Sequence, residues 1–215
     1  MSHPLHPLQT PPLEREFESW ITREIQNDLD RRRIHSDIYA VSPFEEASWP
    51  ADLHLGIRDK IVGLQFKRPY VDPPTARSYS RLKWSLASPA GQVAAVVLTP
   101  EIFYCLPTFI NREWFRYALH HCLFWRPDLP SISQVWYRNP AASVSCFSSP
   151  RWGLFLEDIL SCQIGRVVAQ PTDIVEFMHN FRNRLLSGED ARTPREPAQY
   201  LGLYLIHLGV EGTTP

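Results

Sequence analysis

The 215 residues carry a formal charge of −1 at pH 7, which excludes a uniformly basic coat and confines any nucleic-acid binding to a local patch. Hydrophobic residues make up 44%, with seven Trp and eleven Phe, which excludes a disordered chain and provides the core of one large domain. No apolar run is long enough to span a membrane, and Met1 to Pro12 lack the basic start and hydrophobic centre of a secretory signal, so a cytoplasmic protein without a membrane partner is expected.

Residues 1–12, MSHPLHPLQTPP, are expected to form an extended, loosely held proline-rich arm. From Leu13 to about Arg32 the apolar residues Phe17, Trp20, Ile21, Ile25 and Leu29 recur at helical spacing, with Pro12 as a natural start. At 100° per residue Glu24 and Asp28 fall inside this apolar stripe, where an acid needs a cation or a metal. Either role is open. Ile38 to Val41 reads as an edge strand, and Pro43 to Pro50, with Glu45 and Glu46, as a connector.

The stretch Asp52 to Pro69, DLHLGIRDKIVGLQFKRP, reads as a β-hairpin turning at Arg58-Asp59. In that register Ile57 pairs with Lys60, Leu55 with Val62, Leu53 with Leu64 and Asp52 with Gln65. One face then collects Leu53, Leu55, Ile57, Val62, Leu64 and Phe66, and is core. The other carries Asp52, His54, Gly56, Ile61, Gly63, Gln65 and Lys67, bringing an acid, an amide and an ammonium onto one pleat. Lysine is scarce, with only Lys60, Lys67 and Lys83 present, so its position here is informative.

Asp, a dozen residues, then Gln-Phe-Lys closing a strand resembles the core motif of the PD-(D/E)XK nucleases in their Gln-x-Lys, Mrr-like form. The matching region covers residues 14 to 86, roughly a third of the chain. The resemblance implies a Mg²⁺- or Mn²⁺-dependent endonuclease acting on DNA, with Asp52 and Gln65 as metal ligands and Lys67 as the catalytic cation. It also implies a helix acid, for which Glu24 is the first choice, with Asp28 and Glu16 behind it. A divalent cation suits the chemistry because it neutralises the charge that develops on phosphorus and is held by one or two carboxylates with carbonyls and waters. A role in bacterial defence or DNA processing, with protein partner subunits or as a homo-oligomer, follows from the same resemblance. Two other readings stay open: an ordinary amphipathic hairpin, and a non-catalytic binding or assembly subunit that keeps a nuclease-like fold. Chemistry through His54 beside Asp52 is weaker, because no Ser or Cys nucleophile is placed nearby.

Further on, Ser78 to Leu86 alternates Leu82, Trp84 and Leu86 with Tyr79, Arg81 and Lys83. A third strand beside the hairpin is expected, its Arg81 and Lys83 joining Arg68 in a phosphate-binding patch. Ala87 to Leu98 reads as a short helix, Ile102 to Leu106 as a strand, and Asn111 to Trp125 as an amphipathic helix. On such a helix His120, His121 and Cys122 point in different directions and cannot share a metal. Ser133 to Tyr137 and Ser143 to Ser148 read as strands, Trp152 to Leu160 and Ile174 to Leu186 as helices. The four cysteines have no metal-ligand spacing and are expected to be buried free thiols. The order of elements predicts an α/β fold over residues 13–186, a mixed central β-sheet flanked by helices on both faces in a restriction-endonuclease-like sandwich. A linker and an apolar segment that either closes the core or docks a partner complete the chain over residues 187–215.

Overall fold

The computed structural model describes residues 3–6, 11–41, 59–87, 91–168 and 203–209, with residues 176 and 180. The expected first helix is α1 (Glu14–Arg31). It buries Phe17, Ile21, Ile25 and Leu29, and the Glu16 carboxylate accepts from the Leu13 N–H at 2.7 Å, capping the start. Its end is a Schellman turn: Arg33 takes φ +59°, and the Ile34 and Arg33 N–H groups return to the Leu29 and Asp30 carbonyls. Strand β1 (His35–Val41) follows, and β2 (Asp59–Phe66) is the axis of the main sheet.

The remaining elements are β3 (Pro69–Val71), β4 (Leu82–Ser85), α2 (Gln92–Val97), β5 (Ile102–Pro107), β6 (Cys122–Trp125), β7 (Gln134–Trp136), α3 (Trp152–Leu160), β8 (Arg166–Val168) and β9 (Leu203–Gly209). The main sheet runs β1-β9-β2-β5-β6, with β8 also on β2, while β3-β4-β7 form a separate small sheet. Among the described strands only β2 and β5 pair in parallel, joined through a crossover that includes α2, so the protein is a mixed α/β structure.

The alternation in β2 is real, and both of its faces are buried. Val62, Leu64 and Phe66 pack into one core with α1, α3 and Phe124 of β6. Ile61 belongs to a second core with α2, Tyr104 of β5 and Leu82 and Trp84 of the small sheet. Phe124 stacks on Phe155 of α3 at 4.3 Å and 11°, a pair whose burial contributes about 1.5–3 kcal/mol per ring. The proline-rich start is anchored too: Leu5 is fully buried in the second core, and the Pro4 carbonyl accepts from the Ile110 N–H at 3.1 Å.

Five expectations are corrected. Cys105, Cys122 and Cys146 are buried free thiols as expected, but Cys162 is exposed, in the turn after α3. The first strand of the expected hairpin lies outside the described residues, and β2 has no edge left for it, because Asp59 is already in β2 and both edges of Lys60–Gln65 have other partners. One edge pairs with β9 from Lys60 to Gln65, and the other is shared by β8 and β5. The Ser78–Leu86 strand is a 3₁₀ turn over Tyr79–Arg81 followed by β4, and it belongs to the small sheet, away from β2. The Asn111–Trp125 helix is a 3₁₀ turn over Arg112–Tyr117, capped by the Asn111 side chain on the Glu113 N–H, and then strand β6 against β5. Of the strand expected over Ser143–Ser148, a single bridge from Ser145 to Trp136 is found. The helix expected over 174–186 lies outside the described residues except for Glu176 and Asn180, both helical. No helix among the described residues is long and apolar enough to cross a membrane.

Candidate active site at the end of the second strand

At the carboxyl end of β2 three segments meet. Gln65 stands level with Tyr104 of the parallel β5 and is fully buried. Lys67, two residues on, is 6% exposed, and its N–H donates to the Cys105 carbonyl at 3.3 Å, which extends the ladder beyond the strand. Strand parity keeps both side chains on the Ile61 side. Burial lowers the Lys67 ammonium below its ordinary range, and the Glu14 carboxylate partly offsets that. Glu14 opens α1, and its Oε2 accepts from the Arg68 N–H at 2.9 Å. Beside it, Glu16 takes two hydrogen bonds from Arg112, at 2.9 and 2.6 Å, which hold its carboxyl below the usual range against the effect of burial. The end of β2, the start of α1 and the turn after β5 thus gather cations and carboxylates.

The residues singled out in the sequence fare differently. Asp52, Glu45, Glu46 and His54 lie outside the described residues. Glu24 accepts from the Leu119 N–H at 2.7 Å. It sits ten residues along α1 from Glu14, about 15 Å away at the helical rise, so it stays away from Lys67. Asp28 is a structural acid. Burial would raise its carboxyl, but bonds from the Trp152 indole at 2.8 Å and from Arg32 at 2.7 Å outweigh that and hold it below its usual value. Replacing Asp28 with Ala strands the indole N–H of the buried Trp152 and should lower unfolding free energy in urea by about 1–3 kcal/mol. A change below about 0.5 kcal/mol would contradict this role.

Arg68 lies over the Tyr70 ring at 5.6 Å, Arg81 is exposed, and Lys83 pairs with Asp72 at 2.7 Å on the small sheet. Lys60 is buried and donates to the Ile159 carbonyl at 2.8 Å, where an ammonium suits the end of α3. His121 packs edge-on against Trp114 at 4.8 Å and 86°. Sequence reasoning missed Glu14, although Glu14, Phe17 and Ile21 follow the i, i+3, i+7 spacing of the same stripe.

Among the described residues no three His, Cys, Asp or Glu side chains converge as a metal site. A carboxylate such as Glu14 and an amide oxygen such as Gln65 are each of the kind Mg²⁺ takes. No known protein family, curated protein or solved structure matches this chain.

Proposed function

We propose that the chain is a metal-dependent nuclease of PD-(D/E)XK type acting on DNA, its site at the carboxyl end of β2. The observation that carries this reading is the pairing of Gln65 and Lys67 on one face, with the Lys67 ammonium held out of water beside Glu14. Gln65 and Glu14 would hold Mg²⁺ or Mn²⁺, together with Asp52, which the resemblance to the nuclease motif alone assigns as a ligand. The cation would neutralise charge developing on the scissile phosphate. Lys67 would place a desolvated positive charge against the phosphorane oxygens, where a low local dielectric strengthens it. Arg68, on the next residue, would hold a neighbouring phosphate.

The complete burial of Gln65 supports a second reading, a binding subunit that keeps a nuclease-like arrangement without cleaving. Hydrolysis of plasmid, linear and single-stranded DNA in Mg²⁺ or Mn²⁺, abolished by chelation, separates the two. A bacterial defence or DNA-processing role with partner subunits belongs to the same proposal.

A further inference from the structure

Resting on that reading, we propose that the outer face of the small sheet is a stacking platform for an unpaired DNA strand on its way to the end of β2. Tyr70, Lys83 and Trp136 are register partners across the three strands β3, β4 and β7. The next row, Pro69, Trp84 and Val135, is buried, so the first row faces outward. A ring, an ammonium and a ring therefore stand in line, the two rings two strand spacings apart, about 10 Å. Tyr70 is 47% exposed, far more than a tyrosine needed for packing.

Both rings of the row have a cation on them, as does Phe147, two residues past the Ser145 bridge to Trp136. Arg68 lies over Tyr70 at 5.6 Å, Lys83 over Trp136 at 4.9 Å, and Arg138 over Phe147 at 5.3 Å, with Phe147 52% exposed. Among the described residues, the acid that meets the row is Asp72, already paired with Lys83 at 2.7 Å. Alternating rings and cations match the alternation of bases and phosphates in a single strand: rings take the π-faces and cations the backbone. A duplex hides those π-faces, so the face suits unpaired DNA. The platform also runs into the candidate site, since Lys67, Arg68, Pro69 and Tyr70 are consecutive and Arg68 ties the first ring to the Glu14 carboxylate through its N–H.

The test is fluorescence anisotropy of a labelled oligothymidylate and of a duplex of equal length, in EDTA. The single strand should bind more tightly, and Tyr70→Ala and Phe147→Ala should each weaken it roughly tenfold at unchanged melting temperature. Tyr70→Phe, which keeps the ring, should bind as wild type. Both alanine variants alter exposed rings, so loss of fold does not intervene. Equal or tighter duplex binding, or alanine variants that bind as wild type, would overturn the platform. Because EDTA removes cleavage from the measurement, ring-dependent binding without hydrolysis in Mn²⁺ would sink the nuclease reading and leave the platform standing. Hydrolysis without ring-dependent binding would do the reverse.

Discussion

Lys67→Met should lower DNA cleavage by roughly 10²–10³-fold, the usual effect of removing one preorganised group that meets developing charge. The same substitution should leave the melting temperature unchanged or higher. Lys67 is 6% exposed, and burial depresses its pKa from the ordinary lysine value. A base whose pKa falls on folding destabilises the native state while it stays protonated. Its penalty is full below the folded pKa and disappears as pH rises towards 10.5. Methionine fills much the same volume without that desolvation cost. Glu14 keeps the Arg68 N–H as a donor, so the change does not strand it. A purely structural lysine would give the opposite pattern, with stability lost and cleavage reduced only in proportion to unfolded protein. Thermal melts and initial rates on the same preparations distinguish them.

Ending the chain before Leu203 should abolish cooperative unfolding altogether. Strand β9 lies between β1 and β2, pairing antiparallel with His35–Val41 on one side and Lys60–Gln65 on the other. Without it β1 loses its sheet partner, and β2 exposes an edge in the middle of the molecule. Each lost ladder bond costs about 0.5–1.5 kcal/mol, and Ile206, 1% exposed in the core under α1, goes with them. Together these losses are as large as the roughly 5–15 kcal/mol that holds a domain folded. Ile206→Ala in the full chain, a milder change, should cost about 2–5 kcal/mol. Circular dichroism melts decide the point, and a cooperative transition near that of the full chain would refute the central placement of β9.

The sequence displays periodicity well and partnership poorly. The stripe Phe17, Ile21, Ile25, Leu29 makes α1 plain, and Trp152 to Leu160 is helical as expected. Leu82, Trp84 and Leu86 are buried as their alternation requires. What alternation leaves open is which strand lies alongside. A local turn at Arg58-Asp59 is the short-range choice, yet the neighbour of β2 is β9, far along the chain, because tertiary pairing overrides a weak turn signal. The spacing of Trp114, Phe115, Leu119 and Leu123 suits a helix, but the apolar run Cys122–Trp125 is strand-length and completes the edge of β5.

At the site, parity alone puts Gln65 and Lys67 on one face. Their depth could not be read, because the small and polar residues of that face suggest water, whereas α2 and the small sheet build a second core on it. Periodicity marks Glu24 and Asp28 as acids of the apolar stripe, but it does not show that the start of α1, with Glu14, is what reaches the end of β2.

Cleavage of circular single-stranded DNA by the purified chain in Mn²⁺, beside Asp52→Asn and an EDTA control, addresses the catalytic claim most directly. The expected result is linear product and shorter fragments from wild type alone. Cleavage that persists in EDTA or in Asp52→Asn, or a wild type inert under every metal condition, would contradict it.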